Sequence, residues 1–101
     1  MDLGAELLLA ATKDDQKIAV EIKTFLAAST ISEFHTAIGQ FINYCIALED
    51  DDPERQLYLA VPLDVYKRFF RYPFIQTVIR RNQIPLLVYD TEKQEIAEWI
   101  S

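Results

Sequence analysis

Two charged residues, Glu21 and Lys23, stand in the run KIAVEIKTF, whose other members are mostly apolar or β-branched. Such a run is typical of a β-strand that lies beside a hairpin partner. Alternate residues of a strand share a face, so the two charged side chains lie on one face, roughly 7 Å apart. A carboxylate and an ammonium at this spacing suit metal-assisted hydrolysis, in which the lysine offsets charge that develops on a phosphate.

Further acidic residues on the preceding strand complete this candidate site. A turn centred on Asp14–Asp15 places Leu8 opposite Glu21 and Glu6 opposite Lys23. If that strand continues upstream, Asp2 and Gly4 join the same face. Carboxylates grouped in this way can hold Mg²⁺ through a few oxygens and leave waters on the ion.

We therefore expect an accessible Mg²⁺ site on this side of the sheet. Its metal ligands are Glu21 together with Asp2 and Glu6, and its catalytic pair is Glu21 and Lys23. The choice between Asp2 and Glu6 as the first acid stays open at this point, because a bulge in the hairpin would reverse it.

The elements that must position these residues follow from hydrophobic periodicity. The predicted order is ββαβααββ, in which strands on both sides of helical crossovers favour a mixed α/β sheet with helices packed over it. Ile18, Val20 and Ile22 are expected to build the core, which leaves the face of Glu21 open. The predicted segments are strands at about 6–12, 17–24, 56–61 and 84–90, helices after Thr30 and on both sides of Pro73, and a terminal hairpin or short helix at 95–101.

The long helix carries several residues with a predicted place. Thr30 and Glu33 have the spacing of a capping box. His35 falls on the apolar stripe, which predicts a hydrogen-bonded position at the edge of the core. Gln40 falls off the stripe and is predicted to be solvated. The stripe itself comprises Ile31, Phe34, Ile38, Phe41, Ile42, Cys45 and Leu48.

The composition describes one modest globular domain. The chain has 101 residues, of which 50% are hydrophobic, and this is enough for a packed core. No apolar run approaches the roughly 20 residues that span a bilayer, so we expect a soluble cytoplasmic protein without a membrane partner. The single cysteine, Cys45, is predicted to be a small core residue.

The net charge of −6 argues against attraction of nucleic acid to the whole surface. The stretch from Val65 to Tyr89, however, contains no acidic residue and half of the ten Lys and Arg residues. Aromatic residues in the same stretch could stack on bases, although amphipathic helices ordinarily bury their aromatics. The predicted nucleic-acid-binding residues are Lys67, Arg68, Arg71, Arg80 and Arg81.

Five segments of the chain carry a family resemblance: DLGAELLLA, KIAVEIKTF, FHTAIGQF, LYLAVPLDVY and LLVYD followed by EIAEWI. Together they resemble the XisH family, the fdxN element excision controlling factors of cyanobacteria. The family is similar to the PD-(D/E)XK nucleases, whose core is a mixed sheet flanked by helices. The resemblance implies one restriction-endonuclease-like domain over residues 1–101 that lacks the usual N-terminal helix and strand, as a truncated version would.

The resemblance also implies a function. The family's Glu-x-Lys falls on Glu21 and Lys23, and its first acid falls on Asp2 or Glu6. The implied activity is that of a Mg²⁺-dependent DNA endonuclease acting in element excision. The alternative is a catalytically silent regulator with the nuclease fold that binds a partner such as XisI. A homodimer formed through an exposed sheet edge is a third possibility.

Overall fold

The computed structural model describes residues 2–3, 6–26 and 28–101, with side chains from residue 10 onward. In these ranges the fold is a mixed α/β arrangement of one sheet and three helices, as predicted. Its strands are β1 (Asp2–Leu3), β2 (Glu6–Lys13), β3 (Gln16–Ile22), β4 (Gln56–Pro62), β5 (Leu86–Asp90) and β6 (Glu95–Ile100). Its helices are α1 (Thr30–Asp51), α2 (Leu63–Arg68) and α3 (Pro73–Arg81).

The six strands are hydrogen-bonded in the order β1-β2-β3-β4-β5-β6. β3, β4 and β5 run parallel, and the remaining neighbours pair antiparallel. The two-residue strand β1 was not predicted. It pairs with the start of β2, with Asp2 opposite Leu7, so the expectation that Asp2 extends β2 in a straight line is wrong. The terminal segment is a strand, which confirms the predicted hairpin.

The hairpin between β2 and β3 turns at Asp14 and Asp15, as predicted. Both residues have positive φ angles, 50° and 66°, which is the requirement of a two-residue type I′ turn, and aspartate tolerates it better than most residues. Because this turn fixes the register, Leu8 lies opposite Glu21 as expected.

Both faces of the sheet bury apolar side chains, and this corrects the expectation of an open face. Ala19, on the same face as Glu21, belongs to the main core beneath the helices. Ile18 and Val20 belong to a smaller cluster on the other face, with Tyr58, Ala60 and Leu87. The reason is the crossover: α1 connects the parallel strands β3 and β4 and therefore covers one face of the sheet.

The core-facing side of α1 differs from the predicted stripe. Its buried residues are Phe34, Ala37, Phe41, Tyr44 and Leu48, whereas Ile31 and Ile42 are exposed. His35 is also exposed and does not lie at the core edge. The helix cap differs as well, because the Ser32 N–H is bound by the Ser29 hydroxyl at 3.2 Å. Ser29 is thus the N-cap, and the Thr30–Glu33 capping box does not form.

Prolines mark the element boundaries between β4 and α3. Pro62 ends β4 and is the N-cap of α2, and Pro73 opens α3, both as predicted. A proline suits the first turn of a helix because the amide it lacks has no partner there. No helix in the part of the chain that the structure describes is long and apolar enough to cross a membrane.

The sheet curls until strands near its two ends meet. The Lys13 ammonium, on β2, lies 4.9 Å from the centroid of the Trp99 ring, on β6. Tyr58 packs edge-on against the same ring, with 5.2 Å between centroids. These contacts close the curl over the smaller apolar cluster.

Arg55 ties the end of α1 to the hairpin. Its guanidinium donates to the carbonyl oxygens of Ala11 at 3.0 Å and Ile18 at 2.8 Å, and to the Asp52 carboxylate at 2.8 Å. A lysine cannot reproduce this planar fork.

We expect Arg55→Lys to lower the free energy of unfolding by about 1–3 kcal/mol, because hydrogen bonds to a charged group are lost. Urea denaturation measures this change. The matched control is Arg68→Lys, since Arg68 makes an exposed pair with Asp64 at 3.7 Å and exposed pairs contribute little. An equal decrease in the free energy of unfolding of both variants would show that the Arg55 hydrogen bonds stabilise the protein no more than the exposed Arg68–Asp64 pair does.

Candidate functional site

Glu21 lies in the interior of the molecule, near the carboxyl end of β3. Its side chain is 0% exposed. In the sheet its neighbours are Leu8 on β2 and Leu59 on β4. A carboxylate in the interior loses its hydration, and this costs free energy that an apolar residue would not.

Lys23 follows directly after β3 and extends its pairing with β4, because its N–H donates to the Ala60 carbonyl oxygen at 3.1 Å. It is 8% exposed. Its ammonium nitrogen lies 4.0 Å from an Oε atom of Glu33, near the start of α1. Glu33 was predicted to belong to a helix cap. Its ion pair with Lys23 was not predicted.

The backbone has an unusual conformation just beyond Lys23. Phe25 has a φ of 57°, a left-handed conformation that is unfavourable for a bulky residue. Its ring is 6% exposed and packs edge-on against Phe70, with 5.7 Å between centroids. Burial of this ring holds the left-handed conformation in place and so restricts the backbone that follows Lys23.

Gln40 and Tyr44 lie on α1 at helical spacing from Glu33. The Gln40 Oε1 atom is buried and has no hydrogen-bond donor among the described residues, so the expectation that Gln40 is solvated is wrong. Tyr44 is 2% exposed and was not predicted as part of a site. The spacing 33, 37, 40, 44 could have revealed this side of α1, because it follows the helical period. Glu21, Lys23, Glu33 and Gln40 are called the β3–α1 site below.

The side chains of Asp2 and Glu6 lie outside the described residues. The backbone register continues from Leu8 opposite Glu21 and Leu7 opposite Ile22. Asp2 is paired with Leu7 across the β1–β2 hairpin. Their service as metal ligands stays a prediction.

The predicted nucleic-acid-binding residues fall into two groups. Lys67 and Arg68, in the last turn of α2, and Arg71 are exposed after the carboxyl end of β4. Arg80 and Arg81 are exposed in the last turn of α3. The two groups lie at opposite ends of α3, which is about 13 Å long by its nine residues.

A cleft of about 670 Å³ lies at the amino ends of the parallel strands. It is five residues along β3 from Glu21, or about 16 Å, so it is separate from the β3–α1 site. In open α/β sheets, ligands bind at the carboxyl ends of the strands, where Glu21 and Lys23 lie. The cleft is lined by Gln16, Gln56, Tyr58, Gln76, Ile79, Arg80, Gln83, Ile84, Pro85, Ile100 and Ser101.

The negative charge of Glu21 affects the pKa of Cys45, which lies on α1. Burial, followed by the negative charges of Glu49 and Glu21, raises the pKa of the Cys45 thiol above its ordinary value. A thiol with a raised pKa carries less thiolate at a given pH and reacts more slowly. Because the folded state favours the protonated thiol, its stability falls as pH rises from the pKa of the unfolded thiol through the raised pKa of the folded one.

We expect Glu21→Gln to lower the pKa of Cys45, because the change removes one of the charges that raise it. The measurement is the rate of iodoacetamide alkylation of Cys45 as a function of pH, and the profile should move to lower pH. Glu54→Gln is the control, since Glu54 is exposed and pairs with Lys17. If Glu21→Gln leaves the pH profile of alkylation unchanged, the Glu21 carboxylate does not influence the pKa of Cys45.

The described residues contain no cluster of three or more His, Cys, Asp or Glu side chains able to hold a metal ion. The β3–α1 site instead combines the Glu21 carboxylate, the Lys23–Glu33 ion pair and an amide oxygen. Carboxylate and amide oxygens are ligands of hard cations such as Mg²⁺. The Lys23 ammonium suits the developing charge of an anionic substrate.

Fold and site together define a mixed α/β protein with a buried Glu-x-Lys pair at the carboxyl end of a parallel strand. Comparison with known proteins makes the assignment specific. The family model described as XisH protein matches residues 1–97. The chain belongs to the XisH family.

Two solved structures share this fold. An XisH family protein from Nostoc punctiforme PCC 73102 is 55% identical, with a TM-score of 0.89. An fdxN element excision controlling factor protein from Anabaena variabilis is 56% identical, with a TM-score of 0.88. In each case the match covers 93% of this chain and 74% of the other. A search of curated proteins gave no significant match.

Proposed function

We propose that the protein is a controlling factor of DNA-element excision that hydrolyses phosphodiester bonds at the β3–α1 site in a Mg²⁺-dependent reaction. The relative from Anabaena variabilis is described as an fdxN element excision controlling factor. The proposal includes a restriction-endonuclease-like core, because such nucleases place a Glu-x-Lys on a strand of a mixed sheet.

The observation that carries the proposal is the burial of Glu21 together with Lys23. Their exposed fractions are 0% and 8%. Charged residues of a strand usually lie at solvated positions, because buried charges reduce stability unless they are well paired. Buried ionisable groups cluster at functional sites, and the burial of both residues beneath α1 therefore supports a site for chemistry.

The donor set fits Mg²⁺. The described residues offer the Glu21 carboxylate and the Gln40 Oε1 atom, which has no hydrogen-bond donor within the described part of the chain. Glu6 or Asp2 would add a second carboxylate. When bound, Mg²⁺ would supply Lewis-acid activation of water and neutralisation of phosphate charge.

The protein's own residues would then divide the work. Lys23 would donate hydrogen bonds to a phosphate oxygen as negative charge develops in the transition state. Glu33 would hold the Lys23 ammonium in position, since the two atoms lie 4.0 Å apart. The buried ring of Phe25 would keep the following turn rigid, so that Lys23 keeps its direction.

A plasmid-nicking assay with Mg²⁺ or Mn²⁺ tests this chemistry. We expect Lys23→Ala to slow nicking by about 100-fold or more, the typical loss on removal of one transition-state donor. Lys17→Ala is the matched control, because Lys17 lies on the same strand and is exposed. Nicking at the wild-type rate in Lys23→Ala, or no nicking by wild type, would contradict the proposal.

A second candidate is a catalytically silent regulator that binds a partner protein such as XisI. The observation that favours it is an apolar flank on the outer side of α1, formed by Ile31, Ile42 and Ile46. These residues are 43%, 44% and 57% exposed. Ile42 and Ile46 lie one turn apart, Ile31 lies three turns before Ile42 on the same side, and exposed apolar groups on one helix face mark many protein interfaces.

Co-purification with an XisI-type protein distinguishes this candidate. Ile42→Asp with Ile46→Asp should abolish the complex and leave nicking unchanged, whereas Lys23→Ala should keep the complex. Sedimentation of the protein alone over a range of concentrations tests the homodimer that pairing at a sheet edge would form.

A further inference from the structure

Two aromatic side chains stand exposed beside three cations, between α2 and the start of α3. Tyr72 is 57% exposed and Phe74 is 61% exposed, whereas Phe70, in the same stretch, is 0% exposed. Lys67, Arg68 and Arg71 are exposed next to them in the chain. Lys67, Arg68, Arg71, Tyr72 and Phe74 are called the basic–aromatic ridge below.

We propose that the basic–aromatic ridge binds unpaired nucleotides, and that the DNA on which the protein acts contains a single-stranded segment. The proposal rests on the proposed function in one respect, namely that the ligand is DNA. It goes beyond that function by naming the state of the DNA strand.

The Tyr72 ring is exposed but supported from below, and the backbone between the two rings is restricted. Tyr72 packs edge-on against Phe69, with 6.3 Å between centroids. Pro73 separates Tyr72 from Phe74 and fixes the backbone at the first position of α3. Because the Tyr72 ring is supported and the backbone at Pro73 is fixed, ordering this segment on a ligand costs less than ordering a flexible one.

The charge of the ridge favours a polyanion. The whole chain carries −6, yet no acidic residue occurs between Val65 and Tyr89. Asp64 does approach Arg68 at 3.7 Å, but an exposed pair of this kind is weak and yields to competing anions. Lys67 and Arg71 have no ion-pair partner among the residues that the structure describes.

The combination of rings and cations selects a single strand over a duplex. Proteins that bind single-stranded nucleic acid place cations along the backbone and stack aromatic rings on the bases. In a duplex the base faces are covered by neighbouring bases, and readout is through groove edges. Tyr72 and Phe74 would find no base face to cover on duplex DNA.

The ridge is connected to the β3–α1 site through packed rings. Phe69, which supports Tyr72, packs against Phe34 with 5.6 Å between centroids. Phe34 follows Glu33, whose carboxylate lies beside Lys23. The support of the ridge and the position of Glu33 therefore depend on the same packed rings.

Fluorescence anisotropy with a labelled oligonucleotide, as a single strand and as a duplex of the same sequence, tests the proposal. EDTA is present throughout, so that metal binding and cleavage have no influence. Wild type should bind the single strand more tightly. Tyr72→Ala with Phe74→Ala should weaken single-strand binding by about 5- to 150-fold for each ring, which is the usual contribution of one stacked base.

Two further variants serve as controls. Tyr72→Phe keeps the ring and should bind like wild type, and Ile96→Ala changes an apolar residue that is 48% exposed elsewhere. Both changed rings are more than half exposed, so thermal melting should show a normal fold.

Three results would overturn the proposal. The first is equal affinity for duplex and single strand, which leaves a DNA-binding function intact but not its strand preference. The second is unchanged single-strand binding by the double alanine variant. The third is loss of a dimer or of a protein complex in that variant without any DNA binding by wild type, which would assign the ridge to a protein partner.

Discussion

Glu21→Gln is expected to weaken Mg²⁺ and Mn²⁺ binding by about 100-fold or more, since substitution of groups that only support metal ligands already costs 10- to 100-fold. Glutamine has nearly the volume of glutamate, so the packing around residue 21 is kept. What changes is the charge, because a neutral amide replaces the buried carboxylate. Isothermal titration calorimetry with each cation measures the difference.

Glu49→Gln is the matched control for this experiment. Glu49 lies near the end of α1 and is exposed, yet its charge also acts on Cys45. The Glu49→Gln variant should bind Mg²⁺ and Mn²⁺ with the affinity of the wild type. Equal binding by Glu21→Gln and wild type would exclude Glu21 as a ligand, and no binding by wild type would favour the silent regulator.

Phe34→Ala is expected to lower the free energy of unfolding by about 3–5 kcal/mol, the usual cost of emptying a large buried aromatic site. The Phe34 side chain is 0% exposed. Its ring packs against Phe69 and Phe70, with centroids 5.6 and 5.8 Å away. Phe34 thus joins α1 to the segment between α2 and α3. Since small domains have about 5–15 kcal/mol of stability, urea denaturation should show a large shift of the midpoint.

The comparison for Phe34 is Phe74→Ala, in which a ring that is 61% exposed is removed. Surface changes of this kind usually alter stability by no more than about 0.5 kcal/mol. Similar losses in the two variants would mean that Phe34 does not organise the core. A selective loss in Phe34→Ala should also reduce single-strand binding, because the ridge depends on Phe69 for support.

The strands and their hairpins could be predicted because their signals are local. The Asp14–Asp15 turn sets the register of β2 and β3 from four consecutive residues. Pro62 and Pro73 set element boundaries through backbone geometry alone. Such features need no knowledge of the rest of the chain, and the structure confirms them.

The burial of Glu21 beneath a helix could not be predicted from such local signals. Alternation shows that Glu21 and Ala19 share a face, but not that α1 lies over that face. Burial of Glu21 depends on a crossover that joins strands more than thirty residues apart in the chain. The Lys23–Glu33 pair depends on the same arrangement, because an intervening turn with a left-handed Phe25 brings the two residues together.

The face of α1 that packs on the core was predicted only in part, for a related reason. Apolar residues occupy more than half of its circumference, so the period identifies a helix but does not show which line of residues is deepest. The predicted line included Ile31 and Ile42, which the structure exposes. Gln40, predicted to be solvated, instead turns its Oε1 atom inward.

The contact between Lys13 and Trp99 has a spectroscopic consequence. Trp99 is the single tryptophan of the sequence, and its indole lies between the Lys13 ammonium and the Tyr58 ring. Any motion that separates β2 from β6 would remove the cation from the indole and change the wavelength and intensity of its emission. The protein therefore carries an intrinsic, label-free optical reporter of whether its sheet is rolled up or open.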